Sequence, residues 1–286
     1  MSRASMPGTD LSDRDFGRLS DLIRANLGLK MPPSKKVMIE GRLAKRLRSL
    51  EMGSYRQYCD YLFSPEGMDK ELVNLIDVVT TNKTEFFREP AAFRHLVRTV
   101  LPDLVSRRGA GVRHRLMVWS AGCSTGEEPF TLAMVLSEFA ENSPGGDFDF
   151  LILATDVSSK VLEKARLAVY DEESVQPIPE DLKSKYLLRG KGHRQGLFRI
   201  APELRPRIRF HRLNLMEEFG FKEKMDVIFC RNVIIYFDRP TQARLFQRFC
   251  DQLNQGGYVF LGHSESLSGL ELPLKPVAPM IYRKAA

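Results

Sequence analysis

The feature that most constrains the fold is a strand, a glycine turn and a helix in immediate succession. The residues VWSAGCSTGEEPFTLAM (118–134) begin as a buried strand, turn at Gly122 and Gly126, and continue as a helix with an apolar face. A strand and a helix joined in this way are typical of a parallel sheet covered by helices. Turns of this kind hold nucleotides in such folds, so the same residues also predict a ligand site.

Strands and helices continue to alternate from Arg113 onward. The predicted strands span 115–121, 148–156, 207–215, 225–232 and 257–264. The helices between them are predicted to begin near Glu128, Ser158 and Pro240. This part of the chain is therefore predicted to be an α/β domain with a mostly parallel sheet.

Residues 177–206 interrupt the alternation. The sequence KYLLRGKGHRQGLFRIAPEL predicts two short strands around a glycine-rich turn, which would form a small antiparallel β-subdomain at about 177–212. The last residues, PVAPMIYRKAA, predict one more strand at the edge of the main sheet.

Residues 11–80 show helical periodicity instead. The first helix is predicted to follow Ser12 as its N-cap and to end at Gly28. Its apolar stripe consists of Phe16, Leu19, Ile23 and Leu27. Three further helices are predicted in PPSKKVMIEGRLAKRLRSLEMG, SYRQYCDYLF and MDKELVNLIDVVTTN. We therefore expect residues 1–90 to form a small all-helical domain with a linker, and residues 91–286 to form the α/β domain.

The net charge of +7 is concentrated in two segments. Residues 34–50 hold six basic residues against one acid, and residues 185–212 hold nine against one. Two such surfaces predict an anionic macromolecular partner, although solvated exposed faces would have the same composition. In the first segment, the basic residues on one side of the predicted helix are Lys35, Arg42, Lys45 and Arg46.

The composition excludes several classes of protein. No stretch approaches the roughly 18–20 apolar residues of a membrane span, and the start, MSRASMPGTDLSD, lacks the apolar core of a signal peptide. The four cysteines form no C-x-x-C pair, so neither a disulfide framework nor a zinc site is expected. We expect a cytoplasmic protein that does not insert into membranes and holds no metal.

The residues after the glycine turn discriminate between possible ligands. Glu127 and Glu128 follow Gly126, where a P-loop needs a lysine for its phosphates, and the paired glycines of a dinucleotide fold are missing. S-adenosylmethionine has no phosphate and carries an ammonium and a sulfonium cation, which carboxylates attract. The two glutamates therefore favour S-adenosylmethionine, while a second interpretation is that they only complement the helix dipole.

Polar residues follow the ends of the predicted parallel strands. Asp156 ends the next strand, where a carboxylate can accept hydrogen bonds from both ribose hydroxyls. Asn214 follows RFHRL, and Arg231 and Asn232 follow DVIFC. The carboxyl ends of parallel strands face the crevice where ligands bind, so these residues are predicted to share one site.

Six segments, in the same order, resemble the CheR-type chemotaxis receptor methyltransferases, which are protein-glutamate O-methyltransferases. The segments are TTNKTEFFRE (80–89), WSAGCSTGEEP (119–129), ATDVSSKVLEKAR (154–166), LNLMEE (213–218), FCRNVIIYF (229–237) and GGYVFLGHSES (256–266). The resemblance covers nearly the whole chain. It implies a small helical domain followed by a Rossmann-like S-adenosylmethionine-dependent methyltransferase domain with a small antiparallel β insertion.

The resemblance also implies site residues. Tyr236 matches a tyrosine near the transferred methyl group, and it is expected to orient the incoming carboxylate together with Arg88. Alternatively, Thr84 is only a helix N-cap and Tyr236 is only a core residue. The matching cofactor-binding positions are Asn82, Thr84, Arg88, Glu128, Asp156, Asn214, Leu215, Arg231 and Asn232.

The partner implied by the resemblance is a chemotaxis receptor, whose methylatable glutamates lie on long acidic helices. The basic helix of residues 34–50 is suited to dock there. The resemblance also implies that the cofactor leaves as S-adenosylhomocysteine, the second product. A small antiparallel subdomain can also tether a peptide at the receptor's C-terminus by adding a strand to its edge. A monomer is expected.

Two other functions remain open at this level. An RNA methyltransferase could use the same cofactor, with the basic segments gripping phosphates, but aromatic residues for base stacking are not interleaved with them. We therefore expect no nucleic-acid partner. A receptor adaptor could keep the fold and lack turnover.

Overall fold

The computed structural model describes residues 10–143 and 148–285, which form two compact units. The first, the helical unit, contains residues up to Thr81 together with Tyr236–Asp238. The second, the sheet unit, contains Asn82–Ile235 and Arg239–Ala286. The N-terminal residues on which the absence of a signal peptide was inferred lie largely outside the described part. None of the helices in that part combines the length and the apolar character that a membrane span requires.

The first helix of the helical unit has the predicted ends. Helix α1 spans Asp13–Leu27, and the side chain of Ser12 accepts a hydrogen bond from the Asp15 backbone N–H. The helix ends at Gly28, which has a φ of 67°. This left-handed conformation carries no steric penalty for glycine, so the predicted start and stop of α1 are confirmed.

The other three predicted helices of this unit are also confirmed. They are α2 (Lys36–Ser49), α3 (Tyr55–Leu62) and α4 (Pro65–Val79). Ser54 and Ser64 cap α3 and α4 through their side chains. Helix α2 buries one apolar stripe, which consists of Ile39, Leu43 and Leu47.

The strands of the sheet unit are β1 (Leu116–Ala121), β2 (Phe150–Asp156), β3 (Val169–Asp171), β4 (Leu187–Arg189), β5 (Leu197–Ile200), β6 (Ile208–Arg212), β7 (Met225–Phe229), β8 (Leu253–Phe260), β9 (Leu274–Ala278) and β10 (Ile281–Lys284). The main sheet has the order β6-β2-β1-β7-β8-β10-β9. Its first five strands run parallel to one another. Every residue of β1, β2 and β7 is buried, as expected for a parallel sheet covered by helices.

Helices connect these strands as predicted. Helices α5 (Pro90–His95) and α6 (Leu101–Arg108) precede β1, with a π-helical turn between them at Leu96–Val100. The predicted helix starts are confirmed by α7 (Glu127–Glu141), α8 (Ser159–Leu167) and α11 (Arg239–Gln252). Two short helices, α9 (Glu172–Val175) and α10 (Glu180–Tyr186), lie between β3 and β4. The fold class predicted from the sequence is confirmed.

The small antiparallel sheet differs from the prediction in its composition. The two predicted strands are β4 and β5, but β3 is a third strand that pairs with β5 and begins before residue 177. Strand β6 falls inside the expected range of about 177–212 and nevertheless pairs with β2 in the main sheet. Strand β3 was not predicted; it lies between the helix predicted to begin near Ser158 and the start of the expected range at residue 177.

The C-terminal strand prediction was also incomplete. The last described residues form a hairpin of two strands, in which β10 pairs antiparallel with β8 and β9 lies at the edge. The additional edge strand contains Pro276, a residue that edge strands tolerate.

The core beneath the carboxyl ends of the central strands is aromatic. Trp119 of β1 is fully buried, and its indole nitrogen donates a hydrogen bond to Thr155 Oγ1 of β2 at 2.9 Å. The rings of Phe219, Phe221 and Phe249 meet the indole edge-on at 4.8, 4.9 and 5.1 Å. This packing fixes the ends of β1 and β2, from which the predicted site residues extend.

Candidate active site

The glycine turn between β1 and α7 is held by the end of β2. Asp156 Oδ2 accepts a hydrogen bond from the Ser124 backbone N–H at 2.9 Å, and its Oδ1 accepts one from the Ser158 N–H at 2.9 Å. Ser124 has a φ of 49°, a left-handed conformation that is unfavourable for a residue with a Cβ. The Asp156 carboxylate therefore stabilises a strained turn and is itself fixed at the strand end.

The two glutamates after the turn have different partners. Glu127 is buried, and both of its carboxylate oxygens accept from Thr125 Oγ1, at 2.9 and 2.7 Å. Burial raises the pKa of Glu127 above its ordinary value. Glu128 accepts from Ser120 Oγ at 2.7 Å and from Arg231 Nη1 at 2.9 Å. Both lie in the first turn of α7, but Glu128 is also part of an ion pair.

Arg231 is a buried guanidinium that joins two segments of the chain. In addition to Glu128, it donates through Nη2 to the Arg88 carbonyl and to Glu89 Oε2, the latter at 3.0 Å. Its guanidinium carbon lies 5.3 Å from the centre of the Phe93 ring. Within the described residues, its buried Nε has no hydrogen-bond partner. Two carboxylates surround one guanidinium, so this cluster retains negative charge.

Residues 82–89, which include three predicted cofactor contacts, form an irregular segment rather than a helix. Phe87 and Glu89 have φ values of 53° and 55°. The next helix begins at Pro90, so the interpretation of Thr84 as a helix N-cap is wrong. Thr84 is half-buried in this segment.

Hydrogen bonds hold this segment against the glycine turn and α7. The Asn82 carbonyl accepts from Ser124 Oγ at 2.8 Å, and the Phe87 N–H donates to Thr131 Oγ1 at 3.1 Å. Arg88 is half-buried, and its Nη1 donates to the Lys83 carbonyl at 3.1 Å. The structure thus brings Asn82, Arg88, Glu128 and Arg231 together within the sheet unit.

The turn after β7 is organised by a residue that the sequence analysis missed. Glu265 is 2% exposed. Its carboxylate accepts hydrogen bonds of 2.7–2.8 Å from the backbone N–H groups of Asn232, Val233, Ile234 and Gly262. Asn232 has a φ of 59°, so Glu265 also stabilises a strained residue. An acid placed shortly after the buried strand β8, in GHSES, is the signal that could have indicated it.

Asn214 and Leu215 follow β6, whose last residue, Arg212, is the register partner of Asp156. Asn214 Oδ1 accepts from the Met216 N–H at 3.0 Å, which closes a tight turn. Leu215 is buried, and its carbonyl accepts from Arg248 Nη2 at 2.6 Å. These residues therefore extend from the strand that neighbours Asp156.

Tyr236 groups with the helical unit and is half-buried, so it is not the fully enclosed core residue of the alternative interpretation. It ends a short 3-10 helix, Ile234–Tyr236. Its carbonyl accepts from the Lys30 N–H at 2.9 Å, and Lys35 Nζ lies 5.6 Å from its ring centre. Burial, followed by the nearby charge of Arg42, lowers the pKa of Lys35.

The four predicted docking residues differ in their intramolecular contacts. Arg42 Nη1 donates to the carbonyls of Val79 and Thr80, at 2.7 and 2.9 Å, at the end of α4. Arg46 forms a two-pronged pair with the buried Glu71, with both contacts at 2.6 Å. Lys45 is exposed. Arg42 and Arg46 thus stabilise the helical unit itself.

The residues at the carboxyl edge of the sheet fit S-adenosylmethionine. Asp156 offers a fixed carboxylate where a ribose would lie, and carboxylate oxygens can accept more than one hydrogen bond. The cluster of Glu89, Glu128 and Arg231 is net negative, which suits a cationic ligand. No lysine occurs between Gly122 and Glu128, so the turn lacks the usual partner of phosphate groups.

Comparisons with known proteins identify a family and several relatives. The family model described as CheR methyltransferase, SAM binding domain, matches residues 82–280, and its all-alpha domain matches residues 14–80. A probable chemotaxis protein methyltransferase of Rhizobium etli is 38% identical over 248 residues, covering 87% of this chain and 91% of its own. A chemotaxis protein methyltransferase of Borreliella burgdorferi is 37% identical, covering 96% and 95%. Among solved structures, a SAM-dependent methyltransferase from Methanosarcina mazei covers 53% of each chain at 14% identity, with a TM-score of 0.32.

Proposed function

The chain belongs to the CheR methyltransferase family, and from that premise we propose that it transfers a methyl group from S-adenosylmethionine to glutamate side chains of chemotaxis receptors. The carbon–sulfur bond of the methyl group breaks, a carboxylate oxygen bonds to the same carbon, and S-adenosylhomocysteine leaves. The products on the receptor are glutamyl methyl esters. RNA methylation and a non-catalytic adaptor role are not favoured, because the curated relatives are named as chemotaxis methyltransferases.

The observation that carries this proposal is the acidic edge of the parallel sheet. Asp156 ends β2, and the ion-paired cluster around Arg231 lies beside the glycine turn. We assign the ribose to Asp156 and the cationic end of the ligand to the cluster. Arg231 then serves mainly to hold Glu89 and Glu128 in place. The cofactor-binding set we propose is Asn82, Thr84, Arg88, Glu128, Asp156, Asn214, Leu215, Arg231 and Asn232.

The reaction requires little acid–base catalysis from the protein. A glutamate side chain has an ordinary pKa of about 4.3 and is already ionised at neutral pH, so no general base is needed. Bound S-adenosylmethionine supplies an activated methyl group. The protein must align the carboxylate with that group and exclude water from it. We assign the alignment to Arg88 and Tyr236. The Arg88 guanidinium has five N–H donors, and its hydrogen bond to the Lys83 carbonyl uses only part of that capacity.

We further propose how the receptor binds. Residues 1–90 would dock acidic receptor helices, and residues 91–286 would carry out methyl transfer. Exposed Lys45, together with Lys35, would contact the receptor, while Arg42 and Arg46 keep α2 and α4 in position. The small sheet, whose edge strand β4 carries the 51%-exposed Leu188, would accept a receptor C-terminal peptide. We propose a monomer that acts in the cytoplasm.

The test is methyl transfer from radiolabelled S-adenosylmethionine to chemoreceptor-containing membranes. Methyl esters release volatile methanol in base, so base-labile label is the expected result. Asp156→Asn should abolish most transfer, while Asp181→Asn, a matched change at an exposed position on α10, should not. Base-stable label on RNA or nitrogen would contradict the proposal. Cofactor binding without any transfer to receptor would favour the adaptor.

A further inference from the structure

The small sheet reaches the glycine turn through one side chain, Tyr170. Strand β3 alternates exposed, buried, exposed, so Val169 and Asp171 face outward and Tyr170 faces inward. Tyr170 is 7% exposed, and its register partner is Phe198 of the neighbouring strand β5. Its position is therefore determined by the small sheet.

The hydroxyl of Tyr170 contacts the glycine turn directly. Tyr170 Oη donates a hydrogen bond to the Thr125 carbonyl at 2.8 Å. A Cβ atom placed on Gly126 would lie 2.9 Å from the same oxygen, and Gly126 has a φ of 99°. Gly126 is thus needed both for its backbone conformation and for the close approach of Tyr170.

The ring of Tyr170 contacts two other parts of the site. Phe86, in the segment of residues 82–89, meets it edge-on at 4.9 Å, and Phe130 of α7 meets it edge-on at 6.2 Å. Burial raises the pKa of Tyr170 well above its ordinary value, so the phenol stays protonated and can donate at any physiological pH. One side chain therefore contacts the turn, the 82–89 segment and α7.

The turn depends on such outside contacts. Within the described residues, the N-terminus of α7 has no side-chain cap, and Ser124 and Gly126 are both in the left-handed region. Asp156 holds the N–H of Ser124, and Tyr170 holds the carbonyl of Thr125. The two side chains thus fix neighbouring backbone groups of the turn, one as acceptor and one as donor.

We propose that Tyr170 is a positioning residue for S-adenosylmethionine binding, and that the small sheet is in this way a structural part of the cofactor site. The inference rests on the proposed function in taking that cofactor as the ligand. Tyr170 acts through the turn: it sets the orientation of the Thr125–Gly126 peptide and thereby the turn against which the ligand binds. This role is separate from any partner that the outer face or edge of the small sheet binds.

The test is a pair of Tyr→Phe variants. Tyr170→Phe removes only the hydroxyl that holds the turn. Tyr186→Phe is the matched control. Tyr186 is 2% exposed, and its hydroxyl donates a hydrogen bond to Glu138 Oε1 at 2.7 Å rather than to the glycine turn. Calorimetric titration with S-adenosylhomocysteine should show Y170F binding about 2- to 10-fold more weakly than wild type, the range expected for one buried hydrogen bond. Y186F should bind as wild type does.

A second measurement separates positioning from general stability. Both variants should lower the melting temperature of the free protein by similar amounts, but S-adenosylhomocysteine should raise that of Y170F less than that of Y186F. The KM for S-adenosylmethionine should rise in Y170F, with the KM for receptor unchanged. Equal affinity in Y170F and wild type, or equal weakening in both variants, would overturn this inference alone. Failure of the wild-type protein to bind S-adenosylhomocysteine would overturn the assignment of the cofactor as well.

Discussion

At the scale of single residues, Glu127 and Glu128 show how neighbours in one helical turn acquire different roles. Glu127 turns back to Thr125 and is buried, whereas Glu128 reaches Ser120 and Arg231. We therefore assign the attraction of a cationic ligand to Glu128 and its cluster rather than to both acids equally. Identical substitutions at the two positions can separate these roles.

We predict that Glu128→Gln weakens S-adenosylmethionine binding about 10-fold or more, while Glu127→Gln changes it less than about 3-fold. The first change removes the charge that pairs with Arg231, and hydrogen bonds to charged groups are worth about 1.5–3 kcal/mol. The second removes a buried carboxylate whose raised pKa indicates that its charged form is disfavoured. Equilibrium binding of the labelled cofactor measures both. A larger effect of E127Q than of E128Q would refute the assignment.

Glu265 supports a second prediction at this scale. A glutamine at this position presents an NH2 group where two backbone N–H groups now donate, so part of the Asn232–Ile234 turn would lose its acceptor. Glu265→Gln should cost about 1–3 kcal/mol of stability and lower kcat, because the same turn leads into Tyr236. Glu271→Gln, at an exposed position, is the control. Urea unfolding and steady-state kinetics measure both effects, and wild-type values for E265Q would show that the four contacts are dispensable.

At the scale of elements, α2 was predicted as a docking helix, and the structure gives it a further role. Arg42 meets the last carbonyls of α4, where the helix dipole favours a positive charge. Arg46 of α2 forms an ion pair with Glu71 of α4. The basic face of α2 therefore also fastens two helices of the helical unit together.

We predict that Arg42→Ala lowers the free energy of unfolding by about 1–2 kcal/mol, since it removes charged hydrogen bonds at a helix end. Lys45→Ala, on the same helix, should change stability by less than about 0.5 kcal/mol, as is usual for exposed positions. Chemical denaturation followed by circular dichroism gives both values. If the two variants were equally stable, Arg42 would have no role in capping α4.

The sequence was sufficient for elements whose signals are local. Ser12 and Gly28 mark the ends of α1, and continuous apolar runs mark the buried parallel strands. It was insufficient where the decisive contact is distant along the chain. The partners of Arg231 lie more than 100 residues away, and those of Glu265 lie mostly in another turn. The left-handed residues Phe87 and Glu89 have no local signal either, because tertiary contacts hold them.

At the scale of the whole molecule, the two units carry charges of opposite sign at the surfaces to which we assign binding. The proposed cofactor site in the sheet unit contains the net negative cluster of Glu89, Glu128 and Arg231, while the helical unit presents basic residues such as Lys45 to solvent. Exposed charges are screened by salt over about 10 Å at 0.1 M ionic strength, whereas buried pairs are screened much less. Binding of the acidic receptor and binding of the cofactor should therefore respond differently to salt.

We predict that raising ionic strength from about 50 to 300 mM increases the KM for receptor several-fold and changes the affinity for S-adenosylmethionine less than about 2-fold, because only the first depends on exposed charges. Lys45→Ala should raise the receptor KM at low salt and flatten its salt dependence, since it removes one of the screened charges. Methylation rates of receptor-containing membranes, measured across the salt range, test this. A receptor KM that did not respond to salt would mean that docking depends on apolar or backbone contacts instead. Equal salt dependence for receptor and cofactor would mean that cofactor binding also depends on exposed charges.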